Sequence, residues 1–412
     1  MAEYADREHF IPIRVTELVD YLCTESGPQG GQKLSADEQA RFRQFARSVG
    51  LHLHAIYQTE LRHLKDYYAH FDPDAEVKSL TPLPEAEREA TLGKLFDTFT
   101  RLMERANYVR MSREEIERVM QGASDWGVDM SVAWDAFDRI ELFYRGKGVS
   151  RRTRRRWQNR WRKEEIVVPT FNRIAVIVKQ RPHRRLGPNA DIKNVFIKMF
   201  KDIPQMDIEM LLPATKVKMP LFDRLKLGGS MTSSFGYVGW KLTSGSLLSN
   251  LGTALSFWSL YTPVAMVLGY GYKTWYSFQV TKQTYSLQLT QSLYYQNLDN
   301  NGGVMYRLLD DAEEQETRET LLAYFYLWRY AGDRGWAAAE LDDYVELDLE
   351  RRLEMKVDFE IADALAKLVR AGIAEEVEGR YRAIPLDVAL GRLNVLWDRY
   401  AREGLPGIGS GL

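Results

Sequence analysis

The chain has 412 residues, 45% hydrophobic and 27% charged, enough apolar material for two or three domains and too much for a small cross-linked scaffold. A formal net charge of -1 excludes nucleic-acid binding through bulk positive charge. The single cysteine, Cys23, excludes an intramolecular disulfide and any multi-cysteine zinc site.

Met1 to Phe10 mixes acidic and basic residues with no apolar core. It reads as neither a secretory signal nor a transit peptide, and a cytoplasmic start is expected. From Phe10 to about Gly122 the pattern is helical. Ser35 and Glu38 form a capping box, and Phe42, Phe45, Val49, Leu53, Ile56, Leu61 and Leu64 then recur at spacings that predict one long amphipathic helix ending before Pro73. A second helix starts at Pro84 and turns Leu92, Leu95, Phe96, Phe99, Leu102 and Met103 inward. Ser112 with Glu115 opens a third. His52, His63 and His70 fall near one face of the long helix, and Glu60 with His63 has the Glu-x-x-His spacing of di-iron bundles. No second pair stands at a matching position, so a solvated face is expected.

Near Phe137 the period changes. Phe137 to Tyr144 and Ile166 to Val178 are rich in β-branched and aromatic residues, and Asp191 to Lys201 alternates as a strand covered on both sides would, so a small sheet is predicted. Between the first two strands, Arg151 to Lys163 holds eight basic residues in thirteen. Arg151, Arg152, Arg154, Arg155, Arg156, Arg160 and Arg162, interleaved with Trp157 and Trp161, suit contact with anionic lipid headgroups. Nucleic-acid binding is the rival reading, and a solvated loop the plain one. A polar motif, Lys201, Asp202, Pro204, Asp207 and Glu209, could serve acid/base chemistry or hold a cation, although turn formation and local ion pairs explain it as well.

Between Lys241 and Lys273 run 31 residues without a formal charge. Their length and the flanking rings predict membrane insertion, with Trp240, Lys241, Tyr272, Lys273 and Trp275 at the interface. Pro263 divides the stretch, and basic residues on both sides favour a helical hairpin with both ends cytoplasmic. Beyond the turn signal Asn301-Gly302-Gly303, helices at Thr317–Ala331, Ala338–Leu353 and Phe359–Ala371 precede a β-hairpin turning at Glu378-Gly379, the order of a winged helix, and a last helix covers Leu386–Tyr400. From Asp310 to Glu376 there are 19 acidic and 8 basic residues, a net of -11. A groove reader must neutralise phosphates, so this module predicts protein docking or self-association and not DNA binding.

Phe196-Ile197-Lys198-Met199-Phe200-Lys201-Asp202-Ile203-Pro204, then Asp207 to Pro213 and Met219 to Leu225, resemble the signature of the domain of unknown function 3754 family. Further matches are Phe10-Ile11-Pro12, Ala106-Asn107-Tyr108, Arg145-Gly146, Leu293-Tyr294-Tyr295 and Val357-Asp358-Phe359. The resemblance implies a membrane protein with paired hydrophobic segments and no established activity.

The expected fold is α+β and mostly helical. It comprises a helical domain over 1–135, a small sheet domain over 136–227 with an Arg-rich insertion, a membrane-associated hairpin over 232–283, a winged-helix-like domain over 304–402 and a disordered tail over 403–412. The expected role is a membrane-anchored scaffold or adaptor in the bacterial inner membrane. No phosphate-binding loop, dinucleotide fingerprint or zinc signature calls for a cofactor. The rivals are a membrane-bound enzyme or cation-dependent regulator using Asp202, Asp207 and Glu209, and a nucleic-acid binder working through Arg151 to Lys163.

Overall fold

The computed structural model describes residues 7, 9–24, 33–76, 83–124, 129–155, 163–213, 216–218, 293–359 and 361–404, with Tyr272, Lys273, Tyr276, Gln279, Val280 and Gln283 between them. Among these residues the fold is mixed α and β, mostly helical, with a small antiparallel sheet. No helix among them is long and apolar enough to cross a membrane. Apart from those six residues the expected hairpin over 232–283 lies outside the described residues, as do 405–412 of the tail.

A short helix α1 (Val15–Thr24) precedes α2 (Ala36–Tyr68). The Ser35 hydroxyl accepts from the Glu38 amide at 3.2 Å while Glu38 accepts from the Ser35 amide at 2.8 Å, so α2 begins where the capping box requires. Its apolar stripe is buried, and the stripe includes His52, which the sequence placed on a solvated face. The ring lies under the last helix of the chain, edge-on to Trp397 and Tyr400 at 5.4 and 5.7 Å, with Nδ1 2.7 Å from the Ser48 carbonyl. Periodicity located the helix but could not show that a C-terminal helix covers its second face.

α3 (Glu85–Arg105) leads through strand β1 (Val109–Arg110) to α4 (Arg113–Ser124), capped by Ser112 and Glu115 as expected. Strands β2 (Asp129–Ser131), β3 (Phe137–Arg155), β4 (Lys163–Gln180), β5 (Val195–Pro204), β6 (Lys216–Lys218) and β7 (Asn297–Asn300) follow. β2 pairs with β6, and the others form one antiparallel sheet of order β1-β3-β4-β5-β7. Alternate residues separate its faces, as pleating demands. Phe143, Ala175, Ile177, Ile197 and Met199 join the main helical core, whereas Leu142, Ile174, Val176, Val178 and Phe200 join a second core beneath α4 and a 3-10 turn at Gln205–Leu211. The sheet is thus covered on both sides.

The turn signalled by Asn301-Gly302-Gly303 is a single residue, Asn301. Asn301 is left-handed at φ 48°, and the next residue starts α5 (Gly302–Tyr330), twice the length expected from the apolar pattern. The Asn301 side chain holds this junction, accepting from the Ile197 amide at 3.1 Å and donating to Asp74 at 2.5 Å. Helix α6 (Ala338–Leu353), helix α7 (Ile361–Arg370), the β8 (Ala374–Val377) and β9 (Arg380–Ala383) hairpin, and α8 (Leu386–Glu403) complete the chain close to the expected limits. Glu378 and Gly379, at φ 53° and 72°, make the tight turn. One buried cluster takes in α1, α2, α3, the inner sheet face and α5 to α8.

Candidate functional site

The first candidate is an arm. β3 and β4 pair continuously from Phe137/Gln180 to Arg155/Lys163, but β5 covers β4 only from Lys179 to Thr170. Beyond that point, among the described residues, the register pairs Val149↔Pro169 through Arg155↔Lys163 bond only to each other. At about 3.4 Å per residue this two-stranded ribbon reaches roughly 20 Å from the sheet. Pro169 marks its root, where β4 has become an edge and the missing N–H costs no ladder bond. Val149 and Val167 are 73% and 62% exposed whereas Val168 is buried, so one face of the ribbon's root is open and the other is covered.

The predicted lipid-contact residues fall on this arm, a regular hairpin limb where an irregular loop was the plain expectation. Arg151, Arg152, Arg154 and Arg155 belong to β3 and Lys163 to β4. Arg156, Trp157, Arg160, Trp161 and Arg162, between the strand ends, lie outside the described residues. Of the predicted interface residues, Tyr272 and Lys273 are exposed, and Trp240, Lys241 and Trp275 lie outside the described residues.

At the root of the arm the register sets three cations in one row across three strands, Arg145 opposite Arg173 and Arg173 opposite Lys201. Arg145, 5% exposed, donates to Asp311 at 3.0 Å and to the Ala106 carbonyl at 3.1 Å, between the rings of Phe10 and Tyr108 at 4.2 and 4.6 Å. Arg173 is half-buried, and its buried Nη1 has no hydrogen-bond partner among the described residues. Lys201 is exposed.

The predicted polar motif begins in this row and then disperses. Asp202 is exposed and left-handed at φ 51°, with its carbonyl accepting from Gln296 at 2.8 Å. Pro204 is buried opposite Thr170, and half-buried Asp207 sits on the 3-10 turn with Glu209. No group of three or more potential metal ligands is formed among the described residues.

A second assembly went unrecognised in the sequence. Residues Gln315 to Leu327 of α5 are all buried, including Glu316, Arg318 and Glu319. Glu316 meets Lys367 of α7 at 3.0 Å and Arg105 of α3 at 3.3 Å. Asp363 beside them is pushed up by burial, but Lys367 outweighs this and holds its carboxyl below the usual range. Gln315 accepts from the Ile11 amide at 3.2 Å, Asn107 donates to the His9 carbonyl at 2.5 Å and to Glu319 at 3.2 Å, and Tyr108 reaches Asp311 at 3.4 Å. Burial raises the Tyr108 phenol to about 12. Arg7 donates to the Val357 carbonyl at 3.1 Å and pairs with Glu346 at 2.7 Å. Three short segments that carried the resemblance, around Phe10, Asn107 and Arg145, therefore meet along α5, and Arg7 joins the first of them to a fourth at Val357. Their scatter over nearly the whole chain was the available signal.

Two neighbouring cavities of about 560 and 610 Å³ share Arg113 and Trp134. Their basic side chains already have partners: Arg110 and Arg139 pair with Glu141 at 3.1 and 3.5 Å, Arg113 pairs with Glu117 at 3.0 Å, and the His183 ring lies 3.3 Å from Asp135.

Residues 137–303 match the model of a family described as protein of unknown function (DUF3754). The match runs from the first residue of β3 to the first turn of α5, so it contains the arm, the basic row and the polar motif. Over that segment the family match agrees with the resemblance read in the sequence. No solved structure matches it.

Proposed function

We propose that this protein is a non-enzymatic, membrane-anchored scaffold or adaptor of the bacterial inner membrane, with both termini cytoplasmic, that seats its basic arm on anionic lipid. The projecting ribbon carries this reading. Four arginines within five residues stand on a two-stranded limb, and each basic residue near an anionic surface contributes about 1 kcal/mol. The 31 uncharged residues between Lys241 and Lys273 support a helical anchor alongside it.

The C-terminal module is the partner-binding part, organised as a winged helix. Support comes from the order of α5, a single bridge Trp336↔Tyr381, α6, α7 and the β8-β9 hairpin. Its third helix is unsuited to DNA, since Lys367 is spent inside on Glu316 and the exposed positions are Ala362, Asp363, Ala366 and Arg370. An acidic, helical surface fits a basic protein partner or another copy of the chain.

Flotation with vesicles of phosphatidylglycerol or phosphatidylcholine tests the arm. Wild type is expected to prefer the anionic vesicles in a salt-sensitive way, and the Arg151→Gln, Arg152→Gln, Arg154→Gln, Arg155→Gln variant to lose that preference by at least about tenfold. An unchanged preference refutes lipid contact, and salt-sensitive retention on RNA or DNA in place of vesicles moves the arm to nucleic acid.

A further inference from the structure

We infer that Arg173 and Lys201, with Arg145 beside them, form a binding site for the phosphate group of an anionic ligand. Arg173 and Lys201 stand directly opposite each other on β4 and β5. Like charges in that relation destabilise a sheet. The third cation of the row does not relieve them, because the guanidinium of Arg145 is committed to Asp311 and the Ala106 carbonyl. Among the described residues neither Arg173 nor Lys201 has a carboxylate within ion-pair distance. Arg173 also keeps a buried Nη1 without an acceptor, and a desolvated donor left unsatisfied costs about 1–3 kcal/mol.

A dianion from outside relieves all three defects. The planar guanidinium fork can grip two phosphate oxygens, while the mobile ammonium of Lys201 closes on a third from the exposed side. Half-burial of Arg173 beside an exposed Lys201 gives a site shielded on one side and open on the other. Phosphate is favoured over a carboxylate because two cations face each other with no anion between them among the described residues, which a doubly charged group neutralises fully. The row lies on the sheet itself and does not depend on the arm contacting lipid.

Thermal unfolding of the full chain in inorganic phosphate, against chloride at matched ionic strength, and in a soluble short-chain phosphatidic acid, tests the site. Wild type is expected to be stabilised by at least one of them. A response to inorganic phosphate identifies a free phosphate or phosphomonoester ligand, and a response to phosphatidic acid alone identifies a lipid headgroup. Arg173→Gln is expected to weaken the effect at least about tenfold in ligand concentration, and Arg173→Lys, which keeps the charge but loses the fork, to weaken it less. Lys201→Gln, at an exposed position, is expected to fold normally and to weaken the effect also. The four-arginine arm variant should respond as wild type, which separates this site from the arm. Equal responses in wild type, Arg173→Gln and Lys201→Gln, or no response to either ligand in wild type, would overturn the proposal.

Discussion

Lys367 Nζ lies 3.0 Å from Glu316 Oε2, and both side chains are 3% exposed. The pair ties α7 to the middle of α5. Its two ends are unequally insured: Glu316 also has Arg105 at 3.3 Å, and the second carboxylate on Lys367 is Asp363, 46% exposed, at 2.5 Å. Removing Glu316 strands Lys367 with a half-solvated partner and robs Arg105 as well. Glu316→Leu is therefore expected to cost about 3 kcal/mol or more, and Lys367→Met less, because Arg105 still faces the carboxylate. The double variant should cost less than the sum, since it still deprives Arg105 of its carboxylate but no longer strands Lys367. Urea unfolding of the three proteins measures this, and equal single costs with strict additivity would refute the coupling.

Asp342 sets a pH dependence. Burial first, then the neighbouring carboxylates Glu346, Asp358 and Asp343, push its carboxyl from 3.8 to about 7, with Arg7 only partly opposing them. One of its oxygens is buried without a partner. Because the folded value lies above the unfolded one, the folded state binds this proton more tightly. The stability that goes with the protonated form is complete below about pH 4 and is lost as pH rises through about 7. Asp342→Asn should raise the unfolding temperature at pH 8 and flatten the pH 4 to 8 profile. An identical profile in the variant would show that Asp342 does not carry the effect.

Asn172 lies across two glycines of β3. A Cβ at Gly146 would meet Asn172 Nδ2 at 2.5 Å, and one at Gly148 would meet Asn172 Oδ1 at 2.5 Å. Only Gly146 is also left-handed, at φ 70°. Asn172→Ala should therefore rescue Gly148→Ala, whose defect is steric. Gly146→Ala should stay destabilised by about 1 kcal/mol in the same background, because its backbone strain remains. Rescue of both, read by thermal unfolding, would contradict this assignment of causes.

Legibility of the fold followed amphipathicity. α2, α3 and α4 announce themselves by caps and one apolar stripe, and α6, α7 and the β8-β9 hairpin lie close to where pattern and turn residues put them. α5 was legible only over Thr317–Ala331, and its first half was hidden behind the turn residues Asn301-Gly302-Gly303 and an acidic run. The Asp310 to Glu319 stretch, read as acidic surface, supplies much of the buried network, since its partners Arg105, Arg145, Asn107 and Lys367 are remote in sequence. The basic row was equally hidden. Arg145, Arg173 and Lys201 become neighbours only through strand register, which no local pattern specifies. The charge of the arm was legible from composition, but its strand pairing was not, because a run of arginines carries no strand signal.

The most direct measurement places a polarity-sensitive fluorophore at Val149→Cys, on the exposed arm, or at Val377→Cys, 63% exposed on the C-terminal hairpin, in a Cys23→Ala background. The account predicts a blue shift at position 149 on phosphatidylglycerol vesicles, reversed by salt and absent on phosphatidylcholine, with none at position 377. A shift at 377 alone, or at neither position on the anionic vesicles, would contradict it.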